Sequence, residues 1–149
     1  MTETINVSDG ASYAPKSSSK PVVEDSEFCF AVAYMDHGHI FGQTNGLLEA
    51  GGTLVAAFEP SEKRRAEFAS RYADVPFVND FSELLGDPRI KLIVSAAIPN
   101  RRSEIGLQVM AAGKDYFTDK SPFTTLAQLE AVREACQQSG QKYWVYYAE

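Results

Sequence analysis

The chain has 149 residues, 44% of them hydrophobic, and a formal net charge of -6 at pH 7. Its length and hydrophobic content suit one domain with its own core. The acidic balance argues against a nucleic acid or an anionic membrane as partner, because an acidic surface is repelled by both. There is no run of ~18 apolar residues and no secretory signal pattern. We therefore expect a cytoplasmic protein that binds small molecules or proteins.

The first 27 residues differ in composition from the rest. They are rich in Ser, Thr, Asp, Lys and Pro and show no apolar periodicity that would stabilise a fold. We predict a flexible N-terminal arm over residues 1–27 and one folded domain over residues 28–149. From residue 28 onwards, short apolar runs alternate with amphipathic segments, a pattern typical of βαβ units on a parallel sheet.

The first such unit carries the strongest functional signal. Residues 28–35 and 53–58 are predicted strands, and Glu59 follows the second strand. Glu59 comes 21 residues after Gly38, close to the ~20 residues that separate a phosphate-binding turn from the acid that holds an adenosine ribose. A carboxylate at this position accepts both ribose hydroxyls and repels a 2′-phosphate, so NAD is favoured over NADP.

The turn after the first strand departs from the regular glycine fingerprint. Glycines are expected at positions 36, 38 and 41, but the chain has Asp36, Gly38 and Phe41, with Gly42 one place late. We expect the amides of Gly38, His39 and Ile40 to face the phosphates from the helix N-terminus. Asp36 would oppose them, because two like charges ~4 Å apart repel by ~1 kcal/mol in water and ~4 kcal/mol at an effective dielectric near 20. The alternative is that Asp36 caps the helix and points away from the ligand.

The remaining elements continue the alternation. We predict helices over residues 60–72, 82–87, 101–112 and from Thr124 or Thr125 to Gly140, and strands over residues 76–78, 90–98, 116–118 and 142–147. Both cysteines fall inside predicted elements and are interpreted as reduced core thiols. The aromatic residues of the last strand are expected to pack. The predicted fold is α/β, a doubly wound parallel sheet of the Rossmann type in three αβα layers.

Four features in this order resemble the Gfo/Idh/MocA family of glucose-fructose oxidoreductase and inositol dehydrogenase. They are the βαβ unit ending in Glu59, the strand ending in Pro99-Asn100, the helix end Ala111-Ala-Gly-Lys114, and Asp119-Lys120 before Pro122. Each feature is weak by itself, and their order makes the resemblance specific. Ser121 departs from the family motif, in which proline follows the lysine directly.

The resemblance implies an oxidoreductase that uses NAD, with NADP less favoured, to oxidise a sugar or cyclitol hydroxyl. It implies a catalytic role for Lys120 and cofactor contacts from Ile98, Pro99, Asn100, Asp119 and Lys120. Family members are more than twice this long, with a second domain that carries substrate contacts, a catalytic histidine and an oligomer interface. We therefore expect this chain to correspond to the first domain, to bind the cofactor without turnover, and to join a second domain or further copies of itself.

Two alternatives stay open at this point. The first is a non-enzymatic nucleotide-binding or interaction module, favoured by the altered glycine turn. The second is a metal-dependent hydrolase of barrel type in which His37 and His39 bind the metal. A catalytic zinc site usually has three protein ligands, and the chain has no third histidine, so carboxylates would have to complete it. We predict no metal site.

Overall fold

The computed structural model describes residues 20–147, and its centre is a sheet of five parallel strands. The strands are β1 (Cys29–Ala33), β2 (Thr53–Phe58), β3 (Ile90–Ser95), β4 (Asp115–Asp119) and β5 (Tyr143–Tyr146). They lie in the order β2-β1-β3-β4-β5, and each neighbouring pair is parallel. This arrangement confirms the predicted Rossmann-type sheet.

The predicted strand over residues 76–78 forms only one parallel bridge, between Ala57 and Phe77. The Ala57 amide donates to the Pro76 carbonyl, and the Val78 amide donates to the Ala57 carbonyl, each at 2.9 Å. The predicted short strand is therefore reduced to a bridge, because a three-residue segment that begins with proline offers few ladder hydrogen bonds. With this bridge counted, the strand order is the 3-2-1-4-5-6 order of dinucleotide-binding sheets.

Five α-helices connect the strands within residues 20–147. They are α1 (His39–Glu49), α2 (Glu62–Ala69), α3 (Phe81–Gly86), α4 (Arg102–Ala111) and α5 (Leu126–Ser139), and a 3-10 turn at Pro99–Arg101 precedes α4. Side chains cap three of them: Ser61 caps α2, Asp80 forms a capping box on α3, and Thr125 forms one on α5. Gly140 ends α5 with a left-handed φ of 73°, which glycine adopts without steric cost.

The central strand β1 separates two apolar cores. Phe30 and Val32 pack in one core with residues of α1 and α2, whereas Ala31 and Ala33 pack in the other with residues of α3 and α4. All four side chains are fully buried. Alternation along one strand therefore fills both faces of the sheet, as three αβα layers require.

Two glycines allow helices to approach the sheet closely near β5. A Cβ atom on Gly106 of α4 would lie 2.4 Å from Tyr143 and 2.7 Å from Tyr116. A Cβ atom on Gly42 of α1 would lie 2.6 Å from the hydroxyl of Tyr146. Gly42, the glycine displaced by one position, therefore provides the close helix-to-strand packing of a fingerprint glycine.

The aromatic residues of β5 are only partly packed. Tyr143 lies with its ring centroid 5.4 Å from that of Phe123 and 5.2 Å from that of Tyr116. Trp144 is 54% exposed and Tyr147 is 69% exposed. The expectation of a packed aromatic strand holds for Tyr143 and is wrong for Trp144, because β5 lies at the edge of the sheet described for residues 20–147.

Residues 1–19 of the predicted arm lie outside the described part of the chain. The segment that follows contacts the domain, since the Val22 amide donates to the Ala50 carbonyl at 2.9 Å. Cys29 and Cys136 are free thiols. Within residues 20–147, no helix has the length and apolar character needed to cross a membrane.

Candidate functional site

The carboxyl ends of β1 and β3 mark the point where the strand order reverses. In open α/β sheets this switch point forms the crevice that receives a ligand. Two backbone hydrogen bonds fix the loops there: the Ala96 amide donates to the Tyr34 carbonyl at 3.2 Å, and the His37 amide donates to the Ala96 carbonyl at 3.1 Å. The turn after β1 is therefore attached to the end of β3.

Tyr34 begins that turn with a left-handed φ of 54°, which is uncommon for a residue with a large side chain. Its ring packs edge-on against Phe58 and Phe81, with centroids 5.3 and 5.1 Å away, and the guanidinium of Arg101 lies 5.0 Å above it. Burial raises the pKa of the Tyr34 phenol above its ordinary value. Packing on three sides holds Tyr34 in this conformation.

Gly38, rather than Asp36, is the N-cap of α1. The alternative in which Asp36 caps α1 was therefore wrong. A Cβ atom on Gly38 would meet nothing within 4 Å, so this glycine faces open space. The His39 amide donates to Nδ1 of His37 at 3.2 Å, and the Ile40 amide donates to the His37 carbonyl at 3.2 Å. Two of the three amides predicted to face phosphates are thus partnered by His37 in this structure.

Glu59 lies at the end of β2, as predicted, but its carboxylate is 2% exposed. Its Oε2 accepts a hydrogen bond from the Met35 amide at 2.6 Å, and its Oε1 accepts one from the Ser61 amide at 2.8 Å. Burial is tolerated because both oxygens have donors. Glu59 therefore joins the end of β2 to the turn after β1 and to the start of α2.

Arg64 is the site residue that the sequence did not reveal on this side. A helical arginine most often points to water, but here its Nη1 lies 2.9 Å from Oδ1 of Asp36 and 3.9 Å from Oε1 of Glu59. The ion pair with Asp36 spans a cleft of about 90 Å³ between the turn and α2. The signal available in the sequence was the capping serine, Ser61, which lies two residues after Glu59, precedes α2 and places Arg64 in the first helical turn.

At the other end of the crevice, the Asp119 carboxylate lies close to several polar side chains and to one backbone amide. It is 2% exposed, and its Oδ1 lies 2.9 Å from Nδ1 of His39 and accepts a hydrogen bond from the Lys120 amide at 2.8 Å. Its Oδ2 lies 3.3 Å from Nη2 of Arg102 and 3.7 Å from Nδ1 of His37. Asp119 therefore ties the turn after β1 to the end of β4 and the start of α4.

Arg102 was missed by the sequence reasoning. It is 3% exposed, and besides Asp119 it donates to the Ala97 carbonyl at 2.6 Å and to the Ser121 carbonyl at 3.0 Å. Its position gave a usable signal, because it shares the buried stripe of α4 with Ile105 and Val109. An arginine on an apolar stripe indicates a buried partner.

The ligand atoms of His37, His39 and Asp119 lie within 4.8 Å of one another. The structure thus brings a carboxylate to the two imidazoles that the sequence offered as metal ligands. However, Arg102 already places a positive charge beside Asp119, and the N-terminus of α1 adds a partial positive charge. Both oppose a cation. The sheet is also open between its β2 and β5 edges rather than closed into a barrel, over the described residues, so the barrel hydrolase is not supported.

The other predicted cofactor residues lie at the carboxyl ends of β3 and β4. Ile98 is 46% exposed, and Pro99 and Asn100 are also exposed at the end of β3. Lys120 is half-buried after β4, and its peptide bond to Ser121 is cis. The structure therefore places these residues at neighbouring strand ends, with open surface beside Ile98.

Comparison with known proteins agrees with this geometry. A solved structure from Erwinia carotovora atroseptica, described as an oxidoreductase, is 40% identical with a TM-score of 0.78, over 80% of this chain and 36% of that one. Biliverdin reductase from Synechocystis, solved with biliverdin and NADP+, shares the fold with a TM-score of 0.66 and 20% identity, over 78% of this chain and 37% of that one.

An inositol 2-dehydrogenase from Acidothermus cellulolyticus is 28% identical over 93 residues, which are 62% of this chain and 27% of that protein. The chain thus spans between 27% and 37% of the length of these relatives. Residues 30–147 match the GFO_IDH_MocA family, described as an oxidoreductase family with an NAD-binding Rossmann fold. The chain belongs to the Gfo/Idh/MocA oxidoreductase family, and these residues form its NAD-binding Rossmann domain.

Proposed function

We propose that this domain binds NAD, in preference to NADP, in the crevice at the carboxyl ends of its strands. The observation that carries the proposal is Gly38: it lies at the switch point of the sheet and faces open space where a side chain would otherwise stand. That opening suits the close approach of a pyrophosphate to a helix N-terminus. Glu59 lies at the end of β2, on one side of β1, and the exposed residues Ile98, Pro99 and Asn100 follow β3 on the other side. The two halves of a dinucleotide would extend from the pyrophosphate in these two directions.

In this proposal, different residues bind the phosphates, the adenosine ribose and the nicotinamide half of the cofactor. The turn at Gly38, His39 and Ile40 would hold the phosphates, which requires His37 to release the two amides that it now occupies. Glu59 would bind the ribose of the adenosine half, which requires its carboxylate to turn outward from the Met35 and Ser61 amides that it now binds. The nicotinamide half would lie beside Ile98, Pro99 and Asn100, near Asp119 and Lys120.

The proposed reaction is the oxidation of a sugar or cyclitol hydroxyl, in keeping with the inositol 2-dehydrogenase among the relatives. The nicotinamide ring, when bound, accepts a hydride from the substrate carbon. In this proposal Lys120 takes the hydroxyl proton, and Asp119 sets the position of Lys120 through the bond to its backbone amide. A second domain is proposed to orient the substrate, so residues 28–149 bind the cofactor without turnover.

Fluorescence titration with NADH and NADPH tests the proposal. Gly38 has a φ of -62°, which any residue can adopt, so Gly38→Leu keeps the fold and fills the open space. We expect it to weaken NADH binding at least ~10-fold. Gly46→Leu is the matched control, because Gly46 lies in the same helix with equally open surroundings. Equal NADH affinity for both variants and the unmutated chain would overturn the proposed site.

A further inference from the structure

The cleft between the turn after β1 and α2 carries an excess of negative charge. Its nine lining residues include two carboxylates, Asp36 and Glu67, and only one arginine or lysine, Arg64. A third carboxylate, Glu59, lies 3.9 Å from the Arg64 guanidinium. Gly38 lines the same cleft, so these charges surround the place where the proposed function puts a doubly negative pyrophosphate.

Arg64 forms an ion pair with Asp36, one of these carboxylates. Asp36 stands where the regular fingerprint has a glycine, and it is the carboxylate nearest in sequence to Gly38. Its Oδ1 is 2.9 Å from Nη1 of Arg64, a charge-assisted contact at hydrogen-bond length. The paired side chains are 19% and 41% exposed respectively, so water screens their charges only in part.

The position of Arg64 follows from the local structure of α2. Glu59 binds the Ser61 amide, and the Ser61 hydroxyl accepts a hydrogen bond from the Arg64 amide at 3.5 Å. This cap fixes the first turn of α2 against the end of β2. The guanidinium is thereby held over the turn after β1.

We propose that Arg64 is a cofactor-positioning residue that neutralises Asp36 and so allows a dinucleotide pyrophosphate to bind at a turn that lacks the first fingerprint glycine. This inference rests on the proposed NAD site. It assigns to Arg64 a role through Asp36 rather than through direct contact with the cofactor. Asp36 without Arg64 would repel the phosphates, whereas removal of both charges would restore the net charge that the intact pair gives the site.

A charge-rescue experiment distinguishes this role from its rivals. NADH dissociation constants are measured for the unmutated chain, Arg64→Gln, Asp36→Asn and the double variant, with far-UV circular dichroism to confirm folding. We expect Arg64→Gln to weaken binding ~10-fold, within the range that one uncompensated charge produces. Asp36→Asn should bind at least as tightly as the unmutated chain, and the double variant should lie within ~3-fold of it. Lys63→Gln is the control, because Lys63 is an exposed cation of the same helix outside the cleft lining.

Two results would overturn the inference while leaving the proposed function intact. If Arg64→Gln binds NADH as the unmutated chain does, Arg64 has no part in the site. If the double variant is as weak as Arg64→Gln, Arg64 acts on the cofactor directly and Asp36 is not the charge that it balances. Absence of saturable binding of either dinucleotide by the unmutated chain would instead overturn the proposed function, and the inference with it.

Discussion

Each end of the crevice contains a buried carboxylate, Glu59 at one end and Asp119 at the other. The two carboxylates are stabilised by different kinds of hydrogen-bond partner. Glu59 is satisfied by neutral backbone amides, one of them only two residues away. Asp119 is held by charged or ionisable side chains, Arg102 and His39, that lie 17 and 80 residues away. Glu59 therefore depends on backbone amides of its own turn and of the turn after β1, whereas Asp119 depends on side chains supplied by α1 and α4.

The surroundings of the two carboxylates differ as well. At the Glu59 end, α2 forms a wall and buries Phe68 completely beside the cleft. At the Asp119 end, Ile98, Pro99 and Asn100 leave exposed surface. One end of the crevice is therefore walled and the other open, as the proposed binding of a dinucleotide with an accessible nicotinamide half requires.

The largest expected effect concerns catalysis at the open end. The 149-residue chain, supplied with NAD and myo-inositol, should produce no detectable NADH by absorbance. Correct orientation of reactants contributes ~7–11 kcal/mol to lowering a barrier, and no described residue encloses a substrate beside Ile98. Steady NADH production that Lys120→Ala abolishes would show that the open end is catalytically sufficient, contrary to the proposal.

The second prediction tests the charged cluster. Arg102→Met should lower the free energy of unfolding by ~3–5 kcal/mol, because it leaves Asp119 buried without its cation. Urea unfolding followed by circular dichroism measures this change. Arg89→Met provides the control, since Arg89 pairs with Asp87 at 2.7 Å on the exposed surface and such pairs contribute ~0–1 kcal/mol. Equal losses for the two variants would mean that the Asp119 cluster is not a buried structural element.

The third prediction tests the amide-bound carboxylate. Glu59→Gln turns one acceptor into a donor and leaves a buried backbone amide unsatisfied, which should cost ~1–3 kcal/mol of stability. It should also narrow the preference for NADH over NADPH, because the negative charge that repels a 2′-phosphate is removed. Glu62→Gln, an exposed acid in the first turn of α2, should change stability by less than ~0.5 kcal/mol. Lower stability with an unchanged NADH to NADPH ratio would restrict Glu59 to a structural role.

The smallest expected effect lies outside the crevice, at the β5 edge. Trp144 and Tyr147 are exposed beside an edge strand, and such edges promote pairing between chains. The 149-residue chain should self-associate in sedimentation experiments at increasing concentration, and Trp144→Lys should weaken this by a few-fold to ~10-fold. Leu126→Lys changes another exposed apolar residue, 78% exposed at the start of α5, and should have no such effect. An unmutated chain that stays monomeric at high concentration would contradict this prediction.

The order and type of the main elements, the acid after β2 and the resemblance to the oxidoreductase family could all be predicted from the sequence. These follow from apolar periodicity, capping residues and fixed spacings, which are local properties of the chain. Two local predictions differ from the structure. The predicted strand that begins at Pro76 forms a single bridge. Asp36, which was a plausible cap, lies two residues before the actual N-cap, Gly38.

The pairing of the charged groups could not be predicted from the sequence, because it depends on the tertiary structure. Arg64 reaches Asp36, and Arg102 reaches Asp119, because separate strands end at the same edge of the sheet and bring distant side chains together. Spacing placed Glu59 at the end of β2, but it could not show that two backbone amides would turn the carboxylate inward. Side-chain direction and burial depend on neighbours from other elements, so one strand and its turn do not specify them.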